Sequence, residues 1–191
     1  MKNILIIAVL LLLTGCSLFK GKTNIVYFNI GTPIMQNTSN LGLTIKPINS
    51  DLPFGKKMTF ITSEYSMTSD SFNKWSQTPE ELVYQYVESY FNNPAKKLDN
   101  KTNNKYILNI QIIRFACYST KPEISLQLNI LISDNKTGKI LLNKSFIQNF
   151  KFNKLTADSI AEAMSKGVNN ICSKIKIELL ELNNKSKSTK K

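Results

Sequence analysis

The chain contains no histidine. That removes the usual general base near neutral pH, the Ser-His-Asp arrangement and the commonest zinc ligand. Acidic residues are scarce as well, 13 against 25 lysines and arginines, and they are dispersed, so no carboxylate cluster suggests calcium or magnesium. The seven glycines build no phosphate-cradling loop. Ser165-Lys166 supplies the residue types for Ser/Lys chemistry, but it falls inside a helical pattern without a supporting motif. No catalytic residue, cofactor or metal site is assigned, and the expectation is a protein that is not an enzyme.

Apolar residues make up 42% of the chain and include ten phenylalanines, enough for a packed core rather than disorder. The net charge is +12, nearly all of it from scattered lysines. Such a surface suits an anionic partner or membrane headgroups, and it equally suits a bias towards Asn, Ile and Lys in composition. No motif supports a nucleic-acid partner.

At the N-terminus, Lys2 precedes ten apolar residues, Ile4 to Leu13. As a helix these cover only ~15 Å, half a bilayer core. They fit the apolar region of a signal peptide instead. Leu13-Thr14-Gly15-Cys16 then resembles a bacterial lipobox, which implies cleavage after residue 15 and lipidation of Cys16. The expected layout is a signal peptide over 1–15, a lipidated tether over 16–23, a domain over 24–182 and a basic disordered tail over 183–191. Two or more acyl chains hold a protein at a membrane surface without spanning it. Ser17, where an inner-membrane lipoprotein would carry aspartate, favours the outer membrane facing the periplasm.

Along the domain, "NIVYFNIG" (24–31) and "LGLTIKPI" (41–48) read as strands, "NSDLPFGKK" (49–57) as a turn, and "MTFITSEYSM" (58–67) as a third strand. Thr78-Pro79-Glu80-Glu81 carries a capping box with proline in the first turn and opens a helix over 79–91. Three strands follow: 105–117, apolar on both faces in its middle; 123–133, with Ile124, Leu126, Leu128, Ile130 and Ile132 on one face; and 140–150, its hairpin partner across "DNKTGK". Thr156 caps a last helix over 157–182 whose apolar stripe includes Ile160, Met164, Val168, Ile171, Ile175 and Leu179. The predicted fold is α/β, one domain with a mixed sheet of five to six strands packed by two helices.

Cys117 and Cys172 remain after lipidation. In an oxidising compartment they are disulfide candidates, and the alternative is two separate buried thiols. Without histidine neither is expected to be a reactive nucleophile. Trp75, the single tryptophan, precedes the capped helix. It is expected to pack there rather than anchor a partner.

The lipobox, a first strand carrying Tyr27, a strand running into Ile45-Lys46-Pro47, and Trp75-Ser-Gln-Thr-Pro-Glu-Glu-Leu leading into a helix come in a familiar order. With the hairpin turning at Asp134 and Gly138 and the Ala/Ile-rich final helix, the layout resembles the ABC-type transport auxiliary lipoproteins, the paraquat-inducible protein C type. The resemblance covers roughly residues 25–181. It implies a non-enzymatic accessory of a lipid transport system, working beside an MCE-domain protein, a permease and an ATPase, and docking the periplasmic MCE assembly. Docking on a symmetric ring would favour a homo-oligomer, with Phe54 or Tyr118 as candidate contacts. The rival reading is a structural or assembly lipoprotein that supports an outer-membrane β-barrel or a secretion complex.

Overall fold

The computed structural model describes residues 24–33, 41–53, 55–92 and 104–188. The signal peptide, the tether with Cys16, Phe54 and residues 189–191 lie outside the described residues. In chain order the strands are β1 (Val26–Phe28), β2 (Leu43–Ile45), β3 (Asn49–Ser50), β4 (Lys57–Ser63) and β5 (Ser66–Trp75). Then come helix α1 (Pro79–Phe91), β6 (Tyr106–Tyr118), β7 (Glu123–Asp134), β8 (Ile140–Lys151) and helix α2 (Ala157–Ser188).

Strand β6 is the axis of the sheet. One of its edges pairs antiparallel with β7, and β7 pairs antiparallel with β8. Its other edge is shared by three short parallel segments in succession. β2 lies beside Tyr106–Leu108, β3 beside Gln111–Ile112 and β4 beside Cys117–Tyr118. β5 returns antiparallel to β4, and β1 runs parallel to β5 at the far edge. The α/β class, the single mixed sheet and the two helices agree with the sequence reading.

The strand count is higher than expected, eight among the described residues. Two segments account for the difference. β3 is only two residues long, within a stretch read as a turn. The expected strand over 58–67 is instead a hairpin that turns at Glu64–Tyr65 and returns as the ten-residue β5. "SMTSDSFNKW" hides that strand because it is largely polar and both of its faces reach solvent along most of its length, so no alternation is imposed.

One face of the sheet is covered by helices. Ile124, Leu126, Leu128, Ile130 and Ile132 of β7 are completely buried, flanked by Leu108, Ile110, Ile112 and Phe115 of β6. Burying each such side chain contributes about 1.5–3 kcal/mol. α2 lays its whole predicted stripe on this surface, with Ile160 through Leu179 buried. Gly167 marks the closest approach: a Cβ there would stand 3.1 Å from Ile124 Cδ1 and 3.2 Å from Leu126 Cδ2. α1 runs alongside α2, joined by Tyr86 Oη donating to Asn169 Oδ1 (3.4 Å) and a Tyr90–Ser173 hydroxyl contact (3.1 Å).

The helix starts follow the sequence. Glu81 N donates to Thr78 Oγ1 (3.4 Å) and Thr78 N to Glu81 Oε2 (3.0 Å), closing the capping box of α1. Thr156 caps α2, accepting from Ser159 N at 3.3 Å. That helix does not end at 182 as expected; it continues to Ser188. Asn183 holds the extra turn to the sheet, its Oδ1 accepting from Lys105 Nζ (3.1 Å) and Tyr106 Oη (3.0 Å).

Candidate functional site

The face of the sheet away from the helices carries amides and hydroxyls: Asn109 and Gln111 on β6, Ser125, Gln127 and Asn129 on β7, Asn143, Ser145 and Asn149 on β8. Gln127 Nε2 donates to Ser145 Oγ across strands (3.1 Å). Arg114 adds a guanidinium to this surface. The register between β6 and β7 slips by one residue between Ile112 and Arg114, a β-bulge with Ile113 as the extra residue. Ile113 and Arg114 are consecutive and both exposed, where strict alternation would have hidden one of them. A bulge re-aims side chains in this way. Arg114 is the only arginine in the chain, beside 24 lysines.

Arg114 borders a cleft of about 490 Å³ between β6, the β4–β5 hairpin and the turn after Tyr118. Ile61, Met67 and Tyr118 give it an apolar lining, and Glu64 stands at the hairpin tip. Lys121 Nζ lies 4.1 Å from the centroid of the Tyr118 ring and 3.2 Å from Glu123 Oε2. That lysine therefore already has a carboxylate. Arg114 makes no ion pair among the described residues; its Nη1 reaches only Ser125 Oγ, at 3.5 Å. Ser119 fixes the wall of the cleft by donating from N (3.0 Å) and Oγ (3.2 Å) to the Ile61 carbonyl.

A second, smaller cleft of about 250 Å³ lies between α1 and the segment after β2, lined by Pro47, Ile48 and Tyr84 with Glu80 and Glu81. Both carboxylates are in use there. Glu81 serves the capping box, and Glu80 Oε1 accepts from the Ser50 hydroxyl. This cleft is structural.

The residues singled out by sequence end up apart. Cys117 and Cys172 are buried free thiols. Cys117 closes β6, whereas Cys172 sits in α2 among the apolar stripe. Burial pushes both thiols up, Cys117 to about 11, so neither offers thiolate at neutral pH. Lys166 is taken by Glu162 one turn back (2.6 Å). Trp75 packs as expected, edge-on to Phe115 with ring centroids 5.3 Å apart. Its indole Nε1 is buried without a partner. Tyr118 is half-buried at the cleft, while Tyr27 is exposed on β1.

Arg114 is the residue that sequence reasoning passed over. Its segment, Ile112-Ile113-Arg114-Phe115, reads as a buried central strand, and apolar neighbours mask one charge. The available signal was its identity, a lone arginine placed inside the most apolar strand. Among the described residues no group of three His, Cys, Asp or Glu side chains could hold a metal ion. No described helix is long and apolar enough to cross a membrane.

No family model matches the chain, and no curated protein matches it. Solved structures do. A Xanthomonas campestris protein described under the family DUF330 is similar over 85% of this chain and 99% of its own, with TM-score 0.72 and 11% identity. A second crystal structure, of an uncharacterized protein, is similar over 82% and 99%, with TM-score 0.63 and 13% identity. At such identities the likeness is one of fold: this chain has the sheet-and-two-helix architecture of the Xanthomonas protein across nearly its whole length.

Proposed function

We propose that the chain is a non-enzymatic lipoprotein of the bacterial envelope, anchored through Cys16 to the outer membrane and facing the periplasm. There it serves as the accessory of an MCE-type ABC lipid transport system and docks the periplasmic MCE assembly. The observation that carries this reading is Cys16 behind its apolar run, eight tether residues ahead of a domain whose first core residue is Ile30. Those eight residues reach at most about 3.3–3.6 Å each, holding the domain within ~30 Å of its membrane. A partner from the opposite membrane must come to it. The lysine-rich surface raises the rate of such an encounter more than its affinity. Support against catalysis comes from the chemistry present: no histidine, and thiols held protonated.

Two measurements in cells test this. Radiolabelled palmitate should enter the native chain and not the Cys16→Ser variant; label in the variant overturns the anchor. A photo-crosslinker replacing Tyr65, which stands 92% exposed at the hairpin tip, should capture an MCE-domain protein. Deleting that protein should leave this chain folded and localised but without the crosslink. An unchanged crosslink pattern, or capture of a β-barrel protein instead, overturns the docking.

A further inference from the structure

We propose that the Arg114 cleft binds an oxyanion, carboxylate or phosphate, carried on an apolar stem. Three independent features converge there. The first is the identity of the cation. Every other positive side chain is a lysine, a strongly hydrated point charge, whereas guanidinium is a flat fork that meets carboxylate or phosphate through two parallel hydrogen bonds. The second is its presentation. The bulge at Ile113 turns Arg114 out of the strand alternation onto the open face, at a position where β6 is paired to Gln127 of β7. A rigid strand holds a recognition group more tightly than a loop does. The third is the cleft itself, which sets Ile61, Met67 and Tyr118 beside the guanidinium.

The charges facing the cleft decide what fits it. Lys121 is satisfied by Glu123, with a side chain only 10% exposed, and by the Tyr118 ring. Glu64, at the hairpin tip, makes no ion pair with Arg114. The uncompensated charge is thus the guanidinium, with one hydroxyl contact stretched to 3.5 Å. An anion placed there gains charge-assisted hydrogen bonds, while Glu64 opposes a second negative charge near the tip. The head group fits at Arg114 and away from Glu64, with its stem along Met67, Ile61 and Tyr118. Apolar contact adds about 0.8 kcal/mol per buried methylene. A lone inorganic ion would therefore bind far more weakly than the same ion on an alkyl chain. The inference does not depend on the docking proposed above.

Because Arg114 is the only arginine, growth on ¹⁵N-arginine labels one residue, and its Nε–Hε signal needs no assignment. The full chain would be placed in phosphatidylcholine nanodiscs and titrated with hexyl phosphate, hexanoate, inorganic phosphate and hexanol. The expected result is a saturable shift with hexyl phosphate and hexanoate, and at least about tenfold weaker response to inorganic phosphate and hexanol. Whichever of the two alkyl anions binds more tightly identifies the head group as phosphate or carboxylate. By calorimetry, R114K should weaken hexyl phosphate about tenfold or more, the loss of one bidentate contact. Met67→Ser should bring it close to inorganic phosphate. Both residues are exposed, and circular dichroism will show that the fold is retained. Equal binding of hexyl phosphate and inorganic phosphate, or unchanged affinity in R114K, overturns the proposal.

Discussion

The sheet divides at β6 into two regions built by different means. On one side β7 and β8 are twelve-residue strands joined by a tight turn, with α2 laid over their apolar face. Asp134 Oδ1 fixes the turn, accepting from Lys136 N (3.0 Å) and Thr137 N (2.8 Å), while Gly138 supplies a φ of +69°. On the other side three short strands share one edge of β6, and the β4–β5 hairpin is half-buried at best over most of its length. The first region buries a continuous apolar surface with partners close in sequence. The second is held mainly by parallel backbone pairing to distant residues, the less stable kind per residue. Arg114 and its cleft lie on the seam, where the buried strand meets the exposed hairpin.

The contrast can be broken most severely within one strand. Leu128→Ala removes a completely buried side chain that lies between Ile112 and Phe146, and should cost about 2–5 kcal/mol in urea unfolding. Asn129→Ala, next to it on the open face, should stay within about 0.5 kcal/mol. Comparable losses at the two positions would mean that the open face is also covered. Next in size is Gly167→Leu, which forces a side chain into contacts already at 3.1–3.2 Å and should destabilise by about 1–3 kcal/mol. An unchanged melting temperature would show that α2 does not lie on Ile124 and Leu126.

Thr78→Ala opens the capping box of α1, with an expected loss of about 0.5–2 kcal/mol in the same assay. No change there would detach α1 from the shared core. The smallest effect at neutral pH concerns Cys117. Its thiol is raised from the ordinary 9 to about 11, so folding favours the protonated form. That contribution is complete below pH 9 and is lost as pH climbs from 9 towards 11, because the unfolded chain releases the proton first. Urea midpoints should therefore fall above pH 9 in the native chain, and fall less steeply in Cys117→Ala. Equal slopes would place the alkaline sensitivity elsewhere.

How far the sequence could be read follows the same division. Wherever one face is buried the pattern is forced: the Ile/Leu alternation of β7, the stripe of α2, the Thr78–Glu81 box and the Asp134–Gly138 turn all predict what is found. Where neither face is buried no pattern is imposed. Hence β5 escaped notice, and β3, two residues long, looked like a turn. The run past Leu182 looked like a tail because the bond from Tyr106 to Asn183 is a tertiary fact that no local periodicity encodes. Arg114 was hidden for a related reason: a bulge shifts register, and from sequence alone Ile112-Ile113-Arg114-Phe115 reads as an uninterrupted central strand.

If β6, β7, β8 and α2 form one firm body and the hairpin at the edge of the cleft opens separately, amide protection divides along that line. Native-state hydrogen exchange of the full chain tests it most directly, because amide protection reports local opening as well as global unfolding. Amides of 106–117, 124–132 and 168–179 should exchange slowest and together, at the free energy of global unfolding. Amides of the β4–β5 hairpin should exchange earlier, with protection that rises little as denaturant is removed. A hairpin protected to the same level as β7 would contradict it, making the sheet one cooperative unit from edge to edge.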